Sequence, residues 1–206
     1  IIQNCRAANG GAIYIYNGSA NKWQTQFHME DGLITDCHAE NEAGGIECNF
    51  NSMGGNISND IFEITGGTVQ NCSAANYGGI YIIGRYNGNK ENKETITVQN
   101  LTVRNNSATK NGGSIYINAQ CSGTSVLVKD TVIDGNRAAA YGGLGVYTNN
   151  FNRPILENVT VTNNTTSGYY AGVFVFGCVD IQDGLIKGNK TTGGSAKFGA
   201  LYIDQN

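Results

Sequence analysis

The chain has 206 residues and a formal net charge of -3, from 13 Lys and Arg against 16 Asp and Glu. That balance supplies no basic stripe to neutralise phosphates, which argues against nucleic acid as a partner, and no apolar run of about 18 residues could span a membrane as a helix. With 29 Gly, one Pro (Pro154) and many Asn and Thr, the composition suits tight turns between short strands.

The chain opens on a four-residue phrase, an apolar residue, two variable residues and then Cys or Asn: Ile2 to Cys5. It recurs as Ile34 to Cys37, Val69 to Cys72, Val103 to Asn106, Ile133 to Asn136, Val161 to Asn164 and Ile186 to Asn189. After each phrase comes a pair of small residues, such as Gly11-Ala12, Gly44-Gly45, Gly78-Gly79 and Gly142-Gly143. Self-similarity at a period of about 34 residues early and about 28 late predicts stacked coils.

Three short strands per coil are predicted. The first follows the small pair, with inward residues Ile13/Ile15, Ile46/Cys48, Ile80/Ile82, Ile115/Ile117, Leu144/Val146, Val173/Val175 and Leu201/Ile203. Alternating β-branched residues mark a half-buried strand. The second carries Phe27/Met29, Phe62/Ile64, Ile96/Val98, Val126/Val128, Pro154/Leu156 and Val179/Ile181. The third ends on the apolar residue of the opening phrase. Between second and third runs a column of Asp31, Gly66, Asn100, Asp130, Asn158 and Asp183, types that tolerate left-handed backbone at a sharp turn. The loop after the first strand is long early and short late, and such loops often form a solenoid's binding face.

Parallel stacking closes an apolar tube, and right-handed crossover is the default for parallel strands. The expectation is an all-β, right-handed parallel β-helix of about seven coils, roughly 30 Å long at one strand spacing per coil. Neither end reads as a polar cap, so 1–206 is expected to be a single β-helix segment of a longer chain.

The recurring Cys or Asn predicts a structural ladder of Cys5, Cys37, Cys72, Asn106, Asn136, Asn164 and Asn189, with the thiols buried and a neighbouring bridge within geometric reach. Cys48 falls in an inward column beside Ile82, and Cys121 and Cys178 in or near loops. On the outer side of the first strand stand Tyr14, Glu47, Tyr81, Tyr116, Gly145, Phe174 and Tyr202, with Tyr141, Tyr170 and Phe198 just before the small pairs. Stacking of like side chains along the solenoid explains such a column. Its aromatic members Tyr14, Tyr81, Tyr116, Phe174 and Tyr202 are also the candidate interaction strip. Among the Asn-x-Ser/Thr sequons, Asn17, Asn56, Asn71, Asn105 and Asn158 are the candidate glycosylation acceptors.

Catalytic, metal and cofactor signals are absent: no Cys-x-x-Cys, no His-Glu-x-x-His, no calcium nonapeptide and no phosphate-cradling loop occurs. Asp130 and Asp183 lie two coils apart with Asn158 between, and Lys129 and Glu157 read as a surface ion pair. His28 faces outward and His38 follows Cys37, neither with an evident acid or nucleophile partner.

The two phrases resemble the repeats of the polymorphic outer-membrane protein family, which carry Gly-Gly-Ala-apolar and Phe-x-x-Asn tetrapeptides. Gly10-Gly11-Ala12-Ile13 matches the first and Gly112-Gly113-Ser114-Ile115 nearly so. The four Asn-ending phrases match the second, with a β-branched residue for Phe. The resemblance implies a surface-exposed, adhesin-like passenger. The expected function is therefore a non-enzymatic extracellular or cell-surface module, an adhesin or a structural fibre or spacer. It would meet a protein or glycan partner, or its own copies end to end. The alternative is a carbohydrate-processing β-helix, a polysaccharide lyase or glycoside hydrolase, recognisable by carboxylates clustered on an outward face.

Overall fold

The computed structural model describes residues 1–17, 24–50, 59–84, 93–120, 123–148, 152–193 and 198–204. Asn56, Cys121 and most of the long loops after the first strands lie outside these residues. Every strand pairs in parallel with the equivalent strand of the coils before and after it, so the chain winds as a parallel β-helix.

Each coil contributes to four sheets, not three. Sheet I holds the opening phrase, from Ile2–Gln3 to Gly184–Lys187. Sheet II follows the Cys or Asn, from Arg6–Asn9 through Ser73–Ala74 to Lys190–Thr191. Sheet III follows the small pair, from Ile13–Tyr16 through Ile80–Ile83 to Leu201–Asp204. Sheet IV has six strands, from Gln26–Met29 to Asp180–Ile181. Sheet II is the strand the alternation rule passes over, because most of its strands have two residues and a pattern of period two needs more. Its signal is nonetheless present: two residues past each Cys or Asn stand Ala7, Ala39, Ala74, Ala108, Ala138, Thr166 and Thr191. These pair in register across the coils, as Ala7 with Ala39 and Ala74 with Ala108.

The expected inward columns fill the tube. Ile46, Ile80, Ile82, Ile115 and Ile117 of sheet III are fully buried against Phe62, Ile64, Ile96 and Val98 of sheet IV and Val69, Val103 and Ile133 of sheet I. Cys48 sits among them, in register with Ile82. The small pair is a matter of space. A Cβ on Gly44 would lie 2.5 Å from the backbone N and O of Ser73, and one on Gly78 would lie 2.4 Å from Ser107 O. Sheet II of the following coil runs against that point of the turn.

The turn column is partly as expected. Asn100, Asp130 and Asn158 take positive φ of 51°, 45° and 50°. Where Gly follows, the left-handed residue moves one place on, to Gly32, Gly67 and Gly184. Asp31 and Asp183 then stabilise the turn differently, accepting the N–H of Gly32 and Gly184 at 2.7 and 2.6 Å. A second left-handed column precedes the ladder in all seven coils: Asn4, Asp36, Asn71, Asn105, Gly135, Asn163 and Gly188. This column accounts for three of the sequons, at Asn71, Asn105 and Asn163, on backbone grounds, since Asn tolerates that conformation.

The Cys/Asn position is a core ladder. Asn106, Asn136 and Asn164 are buried, and each Asn Nδ2 donates to the Asn Oδ1 of the next coil at 2.9–3.1 Å. The same Oδ1 accepts the backbone N–H of the previous rung, including that of Cys72. The spacing of rungs shortens from 34 residues to 30, 28 and 25 along this run. Cys37 and Cys72 are buried and Cys5 half-buried, and all three are free thiols, as is Cys48. Burial pushes the Cys72 thiol up to about 12, so it is an inert packing group.

Candidate interaction surface

Alternation sends every second residue of sheet III outward, which builds the expected aromatic column and its register: Tyr14, Glu47, Tyr81, Tyr116, Gly145, Phe174 and Tyr202. In four of the seven coils the residue before the small pair is aromatic and adds a flanking column of Tyr77, Tyr141, Tyr170 and Phe198. The two columns interlock. Tyr77 stacks on Tyr81 at 3.9 Å and reaches Tyr116 at 5.1 Å. Tyr141 bridges Tyr116 and Phe174, and Tyr170, Phe198 and Tyr202 close the run. Two glycines make room for it: a Cβ on Gly112 or Gly145 would lie 2.4 Å from the ring of Tyr77 or Tyr116. Tyr77 and Tyr141 accept positive φ of 58° and 39° to hold their rings there, a cost that bulky residues bear only when surrounding packing compensates.

The strip is therefore not a uniformly open face. Tyr116 and Phe174 are only 8% and 6% exposed, because neighbouring rings occupy their faces. Among the described residues Tyr169 is 43% exposed, and the most open aromatic surface is in the first coil, where Tyr14 and Tyr16 are 48% and 59% exposed. Their rings lie 6.1 Å apart and nearly parallel, at 8°.

Glu47 interrupts the aromatic column between Tyr14 and Tyr81. It is 2% exposed, and its Oε2 has no hydrogen-bond partner. Burial, with the nearby charge of Glu42, pushes its carboxyl up to about 7. Burial also raises the carboxyl of Glu42. This acidic pair carried no signal in the sequence beyond its place in the column.

Several other titratable groups are partnered. Asp60 is fully buried at the corner of sheets III and IV, where its Oδ1 accepts Asn17 Nδ2 at 2.9 Å and the Thr25 N–H at 2.7 Å. Glu94, equally buried, accepts Thr124 Oγ1 at 3.0 Å. His28 has an acid partner after all, Glu63 Oε2 at 2.8 Å from Nδ1, because the two are in register on sheet IV. His38 likewise meets Ser73 Oγ at 2.9 Å across sheet II. The Lys129–Glu157 pair forms at 2.7 Å, and Arg153 pairs with Asp180 at 3.0 Å. Asn158 Nδ2 donates to Asp130 Oδ1 at 2.7 Å, tying the acid of the turn column to its neighbour. No group of three or more His, Cys, Asp or Glu among the described residues is placed to hold a metal ion.

Of the described candidate acceptors, Asn71, Asn105 and Asn158 are exposed. Asn17 is not: it continues the inward alternation of Ile13 and Ile15, is 4% exposed, and spends its Nδ2 on Asp60. The amide nitrogen that a glycan would occupy points into the protein. No helix among the described residues is long and apolar enough to cross a membrane. No protein-family model, curated protein or solved structure matches this chain.

Proposed function

We propose that this chain is a rigid, non-enzymatic β-helix module of an extracellular or cell-surface protein, working as an adhesin or as a structural spacer. The observation that carries this reading is the use of nearly all notable residues in building the coil. The Cys/Asn positions form a core ladder, the turn acids hold backbone or neighbouring amides, and the aromatic column packs on itself. What remains outward among the described residues includes a polar Asn and Thr surface and the open Tyr14–Tyr16 face. The resemblance of the paired tetrapeptides to those of the polymorphic outer-membrane proteins supports the adhesin form of the reading.

Two measurements test it. Binding of the fluorescently labelled chain to cells and to a glycan array, compared with a Tyr14→Ser, Tyr16→Ser variant, reads the open aromatic face; the expected result is binding that the double substitution lowers at least fivefold. Incubation with acidic and neutral polysaccharides, followed by reducing-end and unsaturation assays, reads catalysis. Depolymerisation that Glu47→Gln or Glu42→Gln abolishes would overturn the non-enzymatic reading in favour of a carbohydrate-processing enzyme.

A further inference from the structure

Buried carboxylates in folded proteins are paired with a cation or satisfied by donors, because desolvating an anion without compensation is costly. Among the described residues Glu47 Oε2 has neither. No hydrogen bond reaches Glu47 Oε2 although it is buried. One rung away, Asn9 Oδ1 is likewise buried without a donor, and Asn9 is the in-register partner of Glu42. Two buried acceptors without donors, Glu47 Oε2 and Asn9 Oδ1, thus flank the turn between sheets II and III in the first two coils.

Among the described residues no ion pair to Glu42 or Glu47 is formed. Glu47 is flanked in register by Tyr14 on Ile13–Tyr16 and Tyr81 on Ile80–Ile83. Glu42 ends the strand His38–Glu42, just before the turn that leads to Glu47, and its charge helps to raise the Glu47 carboxyl. The nearest basic side chain along sheet II, Arg6, is solvent-exposed and turned to Glu40 at 3.7 Å. Tyrosine rings beside carboxylates form the environment that holds organic cations, through the ring quadrupole and the carboxylate charge together.

We propose that Glu42 and Glu47, walled by Tyr14 and Tyr81, form a binding site for an alkylammonium group, the head of a lysine side chain or of a free polyamine. Tyr14, half exposed and stacked on Tyr16, is the wall that turns aside to admit it. The alkyl stem then packs along the rings, and the ammonium takes Glu47 Oε2 and the Glu42 carboxylate as acceptors. This site stands whether the module is an adhesin or a spacer, since it depends only on the local geometry of the first three coils.

Titration of the whole chain, followed by NMR of the tyrosine and glutamate side chains, tests it with three probes. These are Nα-acetyl-lysine methylamide, spermidine, and the neutral Nα,Nε-diacetyl-lysine methylamide. Both ammonium probes should shift Tyr14 and Tyr81 saturably at pH 8, while the diacetyl probe leaves them unmoved. Tighter binding of the lysine derivative than of spermidine per ammonium assigns the site to a protein partner, and the reverse assigns it to a polyamine. Ionised Glu47 is the binding form, so affinity should fall at least tenfold at pH 5.5, where its carboxyl is neutral. Glu47→Gln should lose at least tenfold at pH 8. Glu42→Gln should lose at least threefold and serves as the test if the Glu47 variant fails to fold. Equal response to the diacetyl probe, wild-type affinity in the folded variants, or no saturable shift would overturn the proposal.

Discussion

At the scale of single residues, the ladder Asn and the buried Glu are opposite cases of the same requirement. Asn136 is fully buried and makes all its hydrogen bonds: Nδ2 donates to Val103 O and Asn164 Oδ1, and Oδ1 accepts from the backbone and side chain of Asn106. Asn136→Ala leaves several of those partners unsatisfied in the core, and should cost about 3 kcal/mol, or roughly 6–12 °C in Tm by thermal scan. Asn189→Ala, at the half-buried end of the ladder, should cost less than half of that. Glu47 is the reverse. Its folded carboxyl lies at about 7 against an ordinary 4.5, so the ionised form is disfavoured by folding. The penalty is absent at pH 4.5, grows as pH rises, and is complete above pH 7. Glu47→Gln should therefore raise stability by about 2 kcal/mol at pH 8 and scarcely change it at pH 4.5. A variant that gains equally at both pH values would refute the electrostatic account.

At the scale of elements, the strands of sheet III and their partners were readable because long alternation and burial agree, residue by residue, from Ile46 and Cys48 to Val173 and Val175. Sheet II was not, since Ser73–Ala74 or Arg137–Ala138 is too short to show a period, and only the repeated Ala two residues past the ladder betrays it. The second left-handed column was hidden for a related reason: Asn71 and Asn105 satisfy a backbone need and a sequon at once, and the sequence shows both without ranking them. The acidic site was hidden because orphaned oxygens are a property of three-dimensional neighbours, and Glu47 in a column of tyrosines reads only as an interruption. The interlocked rings yield a prediction of their own. Tyr116→Ala removes a nearly buried ring that covers Gly145 and touches Tyr77, Tyr81 and Tyr141. It should cost about 3 kcal/mol. Tyr16→Ala, on the open face, should cost well under 1 kcal/mol. Chemical denaturation of the two variants side by side distinguishes a packing ladder from a decorative surface.

For the whole molecule, each coil touches only its neighbours, so stability is a sum of coil and interface contributions. The core columns are closed in the middle and open at the last described coil, where Ile181, Leu185, Leu201 and Ile203 are exposed. Amide hydrogen exchange should accordingly be slowest in sheet III from Ile80–Ile83 to Leu144–Thr148 and fastest in Leu201–Asp204. Uniform protection along the rod would contradict a nearest-neighbour solenoid.

The in-register parallel winding has a mechanical side. Because the chain enters at one end of the stack and leaves at the other, tension between its termini does not shear all the coils together. It loads the hydrogen bonds of one terminal coil in series and peels that coil away before the next is stressed. Rung spacings of 34 to 25 residues mean that each event frees roughly 100 Å of chain. Under load, such a rod behaves as a graded shock absorber, yielding in steps that shorten toward its later coils.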